Sequence, residues 1–175
     1  LAAALVGKTP RYGYHLEENR IPTTKTSVDA DLEASDFGLL GYIVGREVGE
    51  GVPSFSFRQR PKVDELKALG AAMAASGSVA LYYFEEDAPP APKGSEEISV
   101  SAKDLLQVRE ENAPDDDVDI VAVGCPHSSP EELEELARLL EGKKVERELW
   151  ICTARGIAER CPKLVEKIEG SGAKV

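Results

Sequence analysis

The chain has no apolar run approaching the ~20 residues that cross a bilayer as a helix, so no ordinary membrane span is expected. It also has no excess of basic charge. Its 21 Lys and Arg stand against 32 Asp and Glu, a formal charge of −11. Neutralising phosphates takes a basic surface, so nucleic acid is excluded as the main partner. Cysteine is scarce and odd in number: Cys125, Cys152 and Cys161, with neither CxxC nor Cys/His zinc spacing. That pattern fits a reducing cytoplasm better than a disulfide framework. Two nucleotide signatures are missing as well. Gly41, Gly45, Gly49 and Gly51 do not make the dinucleotide fingerprint, and no GKS or GKT follows to make a P-loop. The acidic run near Asp117 lacks the glycine and glutamate of a calcium loop.

What is present describes a soluble globular protein. Hydrophobic residues make up 42% and charged residues 30% of 175, enough for one domain or two small ones with real cores. The chain opens on Leu1, not Met. Leu1 to Val6 resembles the tail of a helix, and Ala173 to Val175 the first residues of a strand, so an internal piece of a longer protein is expected.

Pro10 to Arg20 has no clean period and gathers two tyrosines, His15, Glu17, Glu18, Asn19 and Arg20. Polar, aromatic-bearing loops of this kind carry binding sites, or pair their own charges at the surface. Ile21 to Thr26 continues as irregular or extended chain. A short helix is expected over Asp31 to Ser35, then strand-like segments over Gly38 to Val48, broken by Gly41 and Gly45. Pro53 to Pro61 is extended. Val63 to Ala75 is an amphipathic helix with Leu66, Leu69 and Met73 as core, closed by Gly77. Val79 to Phe84 is a strand, completing a parallel βαβ unit. A proline-rich connector, Glu85 to Glu97, leads to a short strand at Ile98 to Val100 and a helix, Ala102 to Glu111, capped by Ser101. Asn112 to Asp117 reads as a solvated acidic turn.

The most informative stretch is Val118 to Leu133, VDIVAVGCPHSSPEEL. Val118, Ile120, Ala122 and Val123 read as a short buried strand ended by Gly124, and Cys125 to Ser128 as a turn. Ser129 is an N-cap, Pro130 opens the helix, and Glu132 completes a capping box. The helix to Glu141 turns Leu133, Leu136, Leu139 and Leu140 inward. Glu148 to Thr153 is the next strand, and a helix from Ala154 to Glu169 can restart at Pro162. The fold class expected is α/β, with mostly parallel sheets flanked by helices. Residues 1–95 form a first lobe with the polar N-terminal loop, and residues 96–175 a second βαβα lobe carrying the GCPH turn.

Ligands bind at the carboxyl ends of strands in open α/β sheets, and a helix start favours anions and lowers a nearby thiol's pKa. Cys125 is therefore the expected site of chemistry. Cys152, inside a strand, and Cys161, before Pro162, are expected to pack. A Cys125–His127 nucleophilic pair is one alternative, although no third orienting group is identifiable. A non-catalytic interaction module with an inert Cys125 is another. A single thiolate with ligands from elsewhere would suit an iron–sulfur cluster.

Four blocks, GKTPRYGYHLEENR, SDFGLLGYIVG, LKALGAAMAASGSVALYYF and VAVGCPHSSPEEL, together resemble the large subunit of aconitase X, in that family's order. The resemblance implies aconitase-like α/β/α layers and a hydro-lyase that dehydrates a hydroxy acid with an iron–sulfur cluster of the 4Fe–4S kind. It implies Cys125 as one cluster ligand, the others lying outside the chain, and a small swivelling-domain subunit as partner. Archaeal members resemble the enzyme that dehydrates mevalonate 5-phosphate, and bacterial relatives act on cis-3-hydroxyproline. On this reading His15, Asn19, Arg20, His127 and Ser128 are the candidate substrate contacts, and the isolated piece is inactive.

Overall fold

The computed structural model describes residues 2–113 and 118–175; part of the acidic turn expected over Asn112 to Asp117 falls outside them. The chain divides into two compact units, Leu1–Glu111 and Asn112–Val175. The boundary expected between residues 95 and 96 moves because the strand opening the supposed second lobe belongs to the first sheet.

In the first unit, α1 (Ala2–Val6) leads through two short 3-10 turns, Gly13–His15 and Glu17–Arg20, into β1 (Thr24–Asp29). There follow α2 (Asp36–Val48), β2 (Pro53–Ser56), α3 (Val63–Gly77), β3 (Tyr83–Phe84), β4 (Glu96–Ser101) and α4 (Ala102–Glu111). The sheet is wholly parallel, in the order β3-β2-β1-β4. The expected βαβ unit is β2-α3-β3, with a strand reduced to two residues.

Burial alternates along β1: Thr24, Thr26 and Val28 are buried, while Lys25, Ser27 and Asp29 are exposed. Strand side chains alternate between faces, so one face of the sheet is core. Val28, Phe55 and Val100 meet Leu40 and Val44 of α2, Leu69 and Met73 of α3 and Leu105 of α4 there. Phe57, just past β2, stacks on Phe55 at 5.3 Å and meets Phe37 and Phe84 at 6.1 Å each.

The strand-like reading of Gly38 to Val48 is corrected. These residues belong to the thirteen-residue helix α2, and no helix forms over Asp31 to Ser35. Of its six buried positions, five, Phe37, Leu40, Gly41, Val44 and Gly45, follow the i, i+3, i+4, i+7, i+8 stripe of an amphipathic helix. Two of the five are glycine because α3 lies directly against them. A Cβ on Gly41 would come within 2.8 Å of the Ala72 Cβ, and one on Gly45 within 2.8 Å of the Met73 carbonyl oxygen. Gly77, expected as a left-handed cap, is instead the last residue of α3, and Ser78 takes the left-handed conformation with φ 62°. A Cβ at Gly77 would collide with the Gly45 carbonyl, so the contact explains this glycine.

The second unit runs β5 (Ile120–Ser128), α5 (Pro130–Leu139), β6 (Glu148–Thr153), α6 (Arg155–Arg160) and α7 (Pro162–Glu169). The break between α6 and α7 falls at Cys161, as the proline suggests. Strands β5 and β6 are parallel, and Lys174 adds a parallel bridge to Trp150, the strand start expected at the C-terminal end. The core is small: Leu133, Ala137, Ile151, Ile168 and Ala173.

Two expectations fail here. Ile120, Val121 and Val123 are 46%, 40% and 38% exposed, because among the described residues β5 pairs only with β6 and forms an edge. Leu139 is also exposed, on the outer side of α5.

Surface carboxylates tie this unit together. Glu135 is held below the usual carboxylate range by its hydrogen bond to Arg138, Glu141 by Lys167 on α7, and Glu148 by Lys174 and the Trp150 indole. In the first unit the Ser101 hydroxyl and N–H lower Asp104 in the same way. Unfolded glutamates titrate near ~4.3, above the folded values. The contribution is therefore full above that pH and fades as pH falls through the folded values. Urea midpoints are expected to stay flat from about pH 7 to 5 and decline gently below about 4. The decline should be shallower at high salt, since these pairs are exposed. A midpoint that rises on acidification would contradict the assignment.

Candidate functional site

In the second unit, the candidate residues lie where β5 runs into α5. Val123 pairs with Ile151 in regular register, and the register shifts before Ser128 meets Thr153. Cys125 to Ser128, expected as a turn, are thus the irregular end of the strand itself. Gly124 makes the irregularity possible. Its φ is +104°, and a Cβ there would lie 3.0 Å from the backbone nitrogen and carbonyl carbon of Cys152 and closer still to the oxygen. The two strands touch at this point with no room for a side chain. The Cys125–Pro126 peptide is cis.

Cys125 and His127 are exposed, whereas Ser128 is 1% exposed and its carbonyl accepts a 2.7 Å hydrogen bond from the Thr153 hydroxyl. Ser129 caps α5 as its sequence suggests. Its hydroxyl accepts from the Glu132 N–H at 3.1 Å, and its own N–H donates to the Glu132 carboxylate at 2.8 Å. The helix start is therefore fixed one turn beyond the thiol. Cys152, expected to pack, is exposed, since its strand presents it away from Ile151. Cys161 is half-buried between α6 and α7.

In the first unit, His15, Asn19 and Arg20 share one loop. The Asn19 amide donates to the Gly13 carbonyl at 2.9 Å, and Arg20 Nε donates to the Tyr14 carbonyl. The Tyr14 hydroxyl reaches the Glu50 carbonyl at 2.9 Å, anchoring the loop beyond the end of α2. Asn19 and Arg20 therefore spend part of their hydrogen-bonding capacity on the loop, while the two terminal nitrogens of Arg20 and the exposed His15 ring remain for other partners. An open cavity of about 740 Å³ is lined by Tyr14, Glu18 and Asn19 of this loop and by the turn from Pro92 to Glu96, but not by His15 or Arg20. It sits at the amino end of the sheet, where β1 and β4 begin.

Each candidate set is thus gathered within its own unit. Chemically, the second unit offers an exposed thiol and an imidazole two residues apart, and the first an exposed guanidinium and imidazole on one loop, of which Asn19 alone among the candidates lines a cavity. Among the described residues, no group of three or more His, Cys, Asp and Glu side chains is placed to hold a metal ion. No helix is long and apolar enough to cross a membrane, again among the described residues. Sequence reasoning passed over the cationic loop Arg58 to Lys62, which lines a separate cavity at the carboxyl ends of β1 and β2. Its signal was available: three basic residues within five, directly after a strand and before a helix.

The pattern of the aconitase X second domain matches residues 22–110, and that of the aconitase X third domain matches residues 118–175. The phosphomevalonate dehydratase large subunit of Methanosarcina mazei is 46% identical over the whole of this chain, which covers 45% of that protein. The protein of the same name from Methanothermobacter thermautotrophicus is 45% identical, with 46% of it covered. The crystal structure of Thermococcus kodakaraensis aconitase X in its holo-form superposes with a TM-score of 0.86 at 41% identity, covering 99% of this chain and 47% of that one. The chain spans just under half the length of these relatives.

Proposed function

The chain belongs to the aconitase X family, and from that premise we propose that it is part of the large subunit of a hydro-lyase that dehydrates mevalonate 5-phosphate. The observation that carries the proposal is the similarity, over the whole of this chain, to phosphomevalonate dehydratase large subunits. A large subunit by name calls for a small one, so the active enzyme is proposed to pair this polypeptide with a small swivelling subunit. The 175 residues alone are expected to be inactive.

An iron–sulfur cluster is held by several thiolates. The described residues do not fit that group by themselves, because no cluster-sized set of ligands converges anywhere in them. What they offer is the exposed Cys125, proposed as one ligand, with the remainder supplied by the rest of a longer large subunit. The chain's other contribution is to bind and orient. Arg20, held through Nε by the Tyr14 carbonyl, keeps a planar pair of terminal nitrogens suited to a carboxylate or phosphate. His15 and Asn19 extend that surface. His127, exposed, is proposed to contact the substrate or the ligand shell beside Cys125, whereas Ser128, expected to do the same, is buried and holds the strand end to Thr153.

The test is an assay of the full large subunit, assembled with its small subunit, on mevalonate 5-phosphate. Dehydration should occur, Cys125→Ser should abolish it, and Arg20→Lys should raise KM about tenfold, the value of one charged hydrogen-bond pair. An undiminished rate in Cys125→Ser would reject the ligand role. Turnover of cis-3-hydroxyproline with none of the phosphate ester would replace the substrate.

A further inference from the structure

We propose that the first unit carries an anion-binding site at the carboxyl end of its sheet, built from Arg58, Gln59, Arg60 and Lys62 and taking a small carboxylate or phosphate anion. It does not rest on the function proposed above. The residues concerned lie at the opposite end of β1 from the loop of His15, Asn19 and Arg20, which leads into the strand at Thr24.

The position is the first argument. Strands β1 and β2 both end at this cavity of about 500 Å³, and α3 begins on its rim at Val63. In open parallel sheets the crevice beyond the strands' carboxyl ends is where diverging loops leave room for a ligand. Phe37 and Phe57 give the cavity an apolar part, and Arg58, Gln59, Arg60 and Lys62 line it as well. Such a mixture of apolar and polar lining is the general make-up of a small-molecule site.

The arginines are positioned without being used up. Arg58 donates to Asp29 at 2.6 Å and to Asp31 at 3.1 Å; Arg60 donates to Asp87 at 3.3 Å and lies 4.7 Å over the Phe84 ring. These pairs are more than half exposed and exchange readily with water or a competing anion. A guanidinium also has more N–H donors than the pairs occupy. The two acidic side chains lining the cavity are engaged already: Asp31 holds Arg58, and Glu65 accepts the Lys62 backbone N–H at 2.6 Å. Asp29 and Asp31 are more exposed than Arg58 itself, so an incoming anion binds by displacing them from the guanidinium. The planar guanidinium fork reads carboxylates and phosphates alike, and the two phenyl rings suit a ligand with a short carbon skeleton.

The test uses the isotopically labelled chain in low-salt buffer, titrated separately with succinate and with inorganic phosphate while backbone amide shifts are followed. Saturable shifts at residues 58–65 are expected. Arg60→Gln and Arg58→Gln should each weaken binding about tenfold, and Lys103→Gln, an exposed position on α4 outside the cavity, should leave it unchanged. Both arginines are surface residues, so the variants should melt as the parent does. Saturation by succinate alone would identify an organic-acid site, and by phosphate alone a phosphate-ester site. No saturation by either anion, or undiminished binding in both arginine variants, would overturn the proposal.

Discussion

A Gly45→Val variant is expected to lose about 3 kcal/mol or more of stability, with a thermal midpoint lowered by more than about 10 °C. Overfilling a packed interface ordinarily costs about 1–3 kcal/mol, but here the obstacle is backbone as well as side chain. The added Cβ would meet the Met73 carbonyl oxygen at 2.8 Å and the Met73 Cα at 3.0 Å, and would overlap the Ser76 hydroxyl. Neither helix can yield alone, because Leu40 and Val44 on one and Leu69 and Met73 on the other are fully buried against the same sheet. The internal control is Gly38→Ala on the same helix, where an added Cβ meets nothing within 4 Å. That change removes only the helix penalty of glycine and should stabilise by about 0.5–1 kcal/mol. Opposite signs at two glycines of one helix, read by urea unfolding, would establish the close packing. Two changes of similar size would disprove it.

The second large effect is expected at Gly124→Ala, costing about 2–4 kcal/mol. Two causes combine. A φ of +104° lies where side chains are rarely accommodated, and the new Cβ would press on the backbone of Cys152. The response should be local: β5 parts from β6, amide exchange at Ile151 to Thr153 accelerates, and alkylation of Cys125 changes its rate. Gly142→Ala provides the contrast, with φ +70° and open space around it. It isolates the conformational cost, about 1 kcal/mol. Equal losses at the two positions would mean that the contact between the strands contributes nothing.

Much of this architecture can be read from local chemistry. The Ser129-Pro130-Glu132 cap, the amphipathic α3 with Met73 in the core and the βαβ order all follow from rules that act within one turn or one strand. The misreadings share a different cause. Ile43, Val44 and the glycines around them suggest extended chain when propensities are summed, yet the stripe through Phe37, Leu40, Gly41, Val44 and Gly45 is helical, and tertiary packing decided the outcome. The apolar run Ile120 to Val123 reads as a central strand, but burial depends on neighbouring strands that no local pattern reveals. At the polar N-terminal loop, the carbonyls that engage Asn19 and Arg20 belong to Gly13 and Tyr14. Every residue carries such a carbonyl, so residue type alone could not separate loop bracing from ligand binding.

The strict alternation along β1 also decides where the chain can tolerate change. Sliding this strand by one position would drive an ammonium and a carboxylate, Lys25 and Asp29, beneath two helices and carry Val28 out into water. The segment behaves as a ratchet with a single stable tooth. A residue inserted before Thr24 must be taken up as slack in the preceding loop, because the sheet will not accept it as a shift.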